Sequence, residues 1–125
     1  MNSSKKIIIT GAILGALSVG LGAFGAHALK DLLVKNGRLE TYDLAVKYQF
    51  YHTLALLMLA ALKEHLNVRF AVWSGWCFLF GTILFSGSLY ILSLSGLTLW
   101  GAVTPFGGIL LISGWIMFAI SADKA

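Results

Sequence analysis

The sequence predicts an all-α membrane protein: a four-transmembrane-helix bundle with a short interfacial helix between its first two spans. Three observations lead there. Hydrophobic residues make up 58% of the 125-residue chain and charged residues only 11%, against roughly 25% charged in soluble domains. Such a chain cannot clothe a soluble globule in polar surface, so its apolar surface must meet lipid. Its charge-free runs have the lengths of single or paired crossings, at about 20 residues each. The 14 glycines lie inside those runs, which argues for close helix contact and against disorder. One domain, residues 1–125, is expected at this length.

The formal charge of +4 is modest, and the basic residues sit beside apolar runs without clustering. They read as topology signals and headgroup contacts, and no nucleic-acid partner is expected. A single cysteine, Cys77, excludes an intramolecular disulfide and a four-cysteine metal site. Within its apolar run it reads as a small packing residue.

Lys5 and Lys6 precede the first span, residues 7–29, which holds no Lys, Arg, Asp or Glu. Ala26-His27-Ala28 has the small-x-small look of a signal cleavage site. The run is longer than a usual signal core and the chain begins at Met1, so a retained helix is expected. Gly11, Gly15, Ser18, Gly22 and Gly25 alternate spacings of four and three. They draw a seam on which another helix can close. Glycine as a mere helix weakener leaves that spacing unexplained.

Residues 30–38 turn polar. Leu29, Leu32 and Leu33 share a face, so a short interfacial helix should end at Asn36-Gly37. The stretch 40–52, E-T-Y-D-L-A-V-K-Y-Q-F-Y-H, then concentrates polar groups in an otherwise apolar chain. Glu40, Asp43, Lys47 and Tyr51 fall on one helical stripe, Thr41, Tyr48 and His52 on a neighbouring one. The second span, residues 44–63, is charge-free only from Tyr48, so Lys47 is expected to snorkel back to the headgroups.

No charge appears between Arg69 and Asp123. That gap fits two more spans, residues 70–92 and 99–121, with a turn at Ser93-Leu94-Ser95-Gly96. Ser74, Cys77, Gly81 and Ser88 give the third span its own seam. Trp73, Trp76, Tyr90, Trp100 and Trp115 suit aromatic belts near the span ends. Thr104 and Pro105 break the last segment. Either the helix kinks there, or Thr104 caps a helix that starts at Pro105. The second arrangement leaves residues 96–103 non-helical near membrane depth, so the kink is preferred. With four spans, Lys5, Lys6, Lys63, Arg69 and Lys124 oppose Lys30, Lys35, Arg38 and Lys47. The balance favours both termini in the cytoplasm.

Strongly polar side chains within a bilayer are costly and raise a functional hypothesis. The candidate cluster is His27, Lys47, Tyr48, Gln49 and His52, with Tyr48 bridging the two histidines and Gln49 the weaker candidate. A neutral, buried His52 bonded to Tyr48 or to a backbone carbonyl is the simpler reading, and is preferred. No enzyme is expected. The chain lacks H-E-x-x-H, G-x-S-x-G and a phosphate loop, and Asp43 and His52 would stand about 13 Å apart along a helix. Two histidines are too few for most closed metal sites, so no cofactor is expected.

Four strings carry a resemblance: G-A-F-G-A-H-A-L at 22–29, T-Y-D-L-A-V-K-Y-Q-F-Y-H at 41–52, S-G-S-L-Y at 86–90 and G-A-V-T-P-F-G-G at 101–108. They resemble the signature blocks of the domain of unknown function 423. That family holds the bacterial YgdD/YwdK-type inner-membrane proteins, with transmembrane protein 256 as a eukaryotic relative. The resemblance covers nearly the whole chain and implies a small four-span protein of bacterial inner or mitochondrial membranes. It lends no catalytic residues. Two function classes stay open. The favoured one is a packing, assembly or accessory subunit that binds membrane lipid, other membrane proteins or itself. The other is a small oligomeric permeation or transport unit using the polar face of the second span and the Pro105 break.

Overall fold

Residues 3–124 are described by the computed structural model, and they form five α-helices with no strand among them. In order these are α1 (Ser3–Ala26), α2 (Lys30–Lys35), α3 (Leu39–Ala61), α4 (Val68–Ser95) and α5 (Thr104–Ser121). Short 3-10 turns over Lys63–His65 and Thr98–Ala102 complete the chain. The long helices pack serially: α1 on α3, α3 on α4, and α4 on α5. Three segments are long and apolar enough to cross a membrane, namely α1, α4 and Thr98–Ser121. Lys47, Gln49 and His52 make α3 less apolar than the others.

Helix ends fall where the chemistry stops them. Gly37 (φ +66°) follows α2, and Gly96 (φ +73°) closes α4 in the left-handed conformation that glycine adopts without strain. The Asn36 amide donates to the carbonyls of Ser93 at 3.0 Å and Leu94 at 3.3 Å. It thereby pins α2 to the end of α4 and partners carbonyls of its last turn. At the other end, Asn67 Oδ1 accepts from the backbone N–H of Arg69 at 3.1 Å and caps α4. The Asn67 backbone N–H donates to Ser121 O at 2.7 Å, tying the start of α4 to the end of α5.

The last two helices differ from expectation. α4 does not stop at 92 but runs to Ser95, with 28 residues and so a length of about 42 Å. That exceeds the hydrocarbon core, about 30 Å thick, and lets the following 3-10 turn sit beyond it. The objection to a helix start at Pro105 then lapses. α5 starts at Thr104 with Pro105 in its first turn, not as a kinked continuation from 99. There the missing proline N–H has no helical partner to lose. Thr104 makes no cap hydrogen bond; its hydroxyl instead meets that of Ser88 at 2.7 Å.

Small residues mark the close approaches. Gly11 and Gly15 face Leu57 and Thr53, Gly22 faces Val46, and Gly25 receives the Tyr42 ring. Ser18 is buried among them and donates to Leu14 O at 2.8 Å. The α1 residues therefore lie along α3. On α4, Ser74 donates to Gly114 O at 2.7 Å and Gly81 faces Leu111, so these residues lie along α5. The closest approach to a neighbouring backbone is at Gly107, where a methyl group would overlap Phe85. Phe78, fully buried, anchors a core shared with Leu56, Leu59 and Leu111. The outward residues stay apolar: Ile13, Val19 and Ile109 are each more than half exposed.

Candidate functional site on the third helix

One stripe of α3 turns inward: Tyr42, Ala45, Gln49, His52, Leu56 and Leu59, all buried and spaced by threes and fours. Neither stripe expected from the sequence coincides with it. Lys47 and Asp43 lie on the exposed side and pair at 3.1 Å across one turn.

Gln49 is the centre of the first polar group. Its Nε2 donates to Leu14 O of α1 at 2.9 Å, and its Oε1 accepts from the Tyr90 hydroxyl of α4 at 2.6 Å. The α1 seam makes this possible, because small neighbours bring the α1 backbone within reach of a side chain on α3. One step away, the Tyr42 hydroxyl donates to Leu21 O of α1. The Tyr42 and Tyr90 rings meet edge to face at 5.4 Å. Ser86 of α4 adds a bond to Ala45 O at 2.7 Å. Three helices are thus stitched by side chains whose polar atoms would otherwise be buried unpaired, at a cost of about 1–3 kcal/mol each.

His52 is the centre of the second group, and it faces α5. The Trp115 indole N–H donates to Nε2 at 3.0 Å, and Nδ1 lies 2.7 Å from Tyr48 O. An indole can only donate, so Nε2 must be the acceptor and Nδ1 carries the proton toward Tyr48 O. The ring is a neutral tautomer with both nitrogens paired. Around it, Phe78 and Trp115 make edge contacts, and Tyr48 stacks on Phe85 at 4.7 Å.

The expected cluster of five therefore separates. His27 is exposed in the turn beyond Ala26, where α1 has already ended, and takes no part in the His52 group. Tyr48 bridges nothing toward α1; Gln49, the weaker candidate, holds that place. Tyr90 and Trp115, expected in aromatic belts, point their polar atoms inward at α3. The inward stripe was missed, and its three-four alternation is the signal that could have found it, as a sevenfold spacing could have found Gly107, Gly114 and Ser121. Nothing in the sequence paired Trp115 with His52. Among the described residues, no three His, Cys, Asp or Glu side chains gather where they could hold a metal ion. What the paired groups do chemically is join helices.

Comparison with known proteins places the chain among membrane proteins. It is 43% identical over 121 residues to the UPF0382 membrane protein YwdK of Bacillus subtilis, covering 96% of this chain and 98% of that protein. Against the UPF0382 inner membrane protein YgdD of Escherichia coli K12 the identity is 42% over 127 residues, covering 98% and 92%. A UPF0382 membrane protein of Staphylococcus epidermidis is 41% identical over 120 residues, covering 96% and 97%. No solved structure matches the chain. The family described as "Protein of unknown function (DUF423)" matches residues 21–108, a block that contains Tyr42, Gln49, His52 and Tyr90. With relatives of this identity over nearly full length, the chain is a membrane protein and belongs to the DUF423 family.

Proposed function

We propose that the chain is a four-span inner-membrane protein acting as an assembly or accessory subunit, which binds other membrane proteins or lipids through its outer faces. The observation that carries this reading is the closure of α3. Its buried Tyr42, Gln49 and His52 side chains are consumed by partners within the chain, which lets a helix of modest apolarity cross the bilayer. The faces left outward are apolar and aromatic, with Trp73, Trp76 and Phe80 each at least half exposed. Such surface suits lipid and helical partners. A permeation path draws less support, since Lys47 faces outward while Gln49 and His52 face inward and are already paired. The small excess of Lys and Arg on the side of the termini supports their cytoplasmic placement.

Purification in mild detergent tests the assembly role. The expected result is a discrete particle well above the 13.5 kDa chain, with a co-purifying membrane protein or a fixed number of lipids. A bare monomer that conducts ions in planar bilayers would reverse the preference. Reporters test the topology: one at Asn36-Gly37 should be active outside, and one after Asp123 in the cytoplasm. Activity of both on the same side would end the four-span reading.

A further inference from the structure

Between α3 and α5 the backbones do not pack together. A cavity of about 500 Å³ opens there, with α4 as its floor. Its walls include Tyr48 and Tyr51 of α3, Phe85 of α4, and Gly108, Ile112 and Trp115 of α5. The volume falls within the range of about 300–1,000 Å³ usual for ligand sites.

Three properties decide what could fill it. Tyr51, Ile112 and Trp115 are 54%, 62% and 45% exposed, so the cavity opens sideways, toward whatever surrounds the helices. The hydroxyls of Tyr48 and Tyr51 have no hydrogen-bond partner among the described residues, leaving two donors at its rim. Lys47, held by Asp43 in an exposed ion pair, immediately precedes Tyr48 and lies one turn before Tyr51, so the tyrosines adjoin the charged, exposed part of α3. His52, with Trp115 bonded to it, lies four residues beyond Tyr48, about 6 Å farther along α3. A polar rim at the boundary above an apolar, aromatic slot matches an amphiphile with acceptors at its head and hydrocarbon below. In a bilayer, the molecule presenting ester carbonyls at that level is a glycerolipid.

We propose that this cleft is a binding site for one acyl chain of a glycerophospholipid. The Tyr48 and Tyr51 hydroxyls donate to its ester and headgroup oxygens, and the chain lies along Phe85, Ile112 and Trp115. Gly108 is what leaves the slot open: beyond the Phe85 ring carbons at 3.9 Å, a Cβ there would meet no atom. The inference rests on α3 standing in the bilayer and makes the lipid-binding part of the proposed function specific.

The test uses the full chain with Trp73→Phe, Trp76→Phe and Trp100→Phe, leaving Trp115 as the sole indole, excited at the red edge where tyrosine does not absorb. Phosphatidylcholine brominated at mid-chain, which quenches indole on contact, is titrated into the protein in detergent micelles. The expected result is quenching that saturates near one lipid per chain. Gly108→Leu should fill the slot and abolish the saturable phase while the melting temperature holds. Tyr48→Phe combined with Tyr51→Phe should weaken binding by about fivefold or more, the effect of losing a hydrogen bond of ordinary strength. Quenching that rises without saturation in both the parent and Gly108→Leu would overturn the site, because it reports only bulk contact. So would a dimer that Gly108→Leu dissociates while no lipid binds, since a second copy would then cover the cleft. Vesicles made wholly of the brominated lipid separate this failure from that of the membrane reading. Trp115 is quenched there by any embedding, and absence of quenching would refute the placement of α3 and α5 in the bilayer.

Discussion

The Trp115 indole donates to His52 Nε2 over 3.0 Å, and this bond joins α3 to α5 where their backbones stand apart. Removing either partner leaves the other polar atom unpaired. His52→Ala and Trp115→Phe should each destabilise the protein, by about 1–3 kcal/mol. His52→Gln should recover part of the loss, because glutamine can still accept from the indole. Thermal unfolding in detergent of both single variants and the double variant gives the coupling, expected at about 0.5–1.5 kcal/mol. A coupling of zero would show that the contact contributes nothing.

Gln49 and Tyr90 predict an inversion of the usual order of damage. Gln49→Leu alone removes two bonds and strands the Tyr90 hydroxyl in an apolar setting. The double variant Gln49→Leu with Tyr90→Phe removes both polar groups together. It should be more stable than Gln49→Leu by about 1 kcal/mol, since an orphaned group costs more than an absent pair. Denaturation curves ranking the double variant below the single would contradict this account of the pair.

Glycines differ sharply in what surrounds them. Nothing lies within 4 Å of a Cβ placed on Gly20, whereas one on Gly107 would run into the Phe85 backbone. Gly107→Ala should therefore cost about 1–3 kcal/mol by forcing α4 and α5 apart. Gly20→Ala should be neutral or stabilising by up to about 1 kcal/mol, the ordinary gain in a helix interior. Equal melting temperatures for these two variants would mean that α5 does not seat on α4 at Gly107.

Thr53 and Thr82 carry buried hydroxyl oxygens with no partner among the described residues. Valine has nearly the same shape and no such group. Thr53→Val and Thr82→Val should each raise stability, by about 1 kcal/mol. A fall in melting temperature for either would reveal a partner for that hydroxyl.

How much was legible follows from which interactions are local. The α1 run, the long charge-free stretch after Arg69 and the stop at Asn36-Gly37 are written in consecutive residues, and each was readable. Pro105 was misjudged because its reading depends on how far α4 extends, and no residue between 92 and 95 forbids three more helical positions. The polar candidates on α3 were ordered by depth and by which helical stripe they share with one another. Neither says which stripe meets the neighbouring helices, so Gln49 and Tyr48 exchanged roles. His27 depended on where α1 ends, a boundary that Ala26 and Ala28 do not advertise. The His52–Trp115 pair required knowing that α5 stands beside α3, which is a property of helix order and lies beyond any local pattern.

Gln49 depends on Leu14, made before it, and on Tyr90, made after it; His52 waits for Trp115, made later still. During synthesis, α3 therefore emerges before its partners exist, with two polar side chains that hydrocarbon disfavours. We expect its entry into the bilayer to lag behind α1 and to be completed only when α4 and α5 arrive. A chain ended after Leu66 should leave Asn36-Gly37 and the α3 terminus on the same side in a protease-protection assay. Stable crossing by α3 in that shortened chain would remove the dependence. The least apolar of the long helices would then be the last to be committed, and the hydrogen bonds that close it would act as the checkpoint on the order of biogenesis.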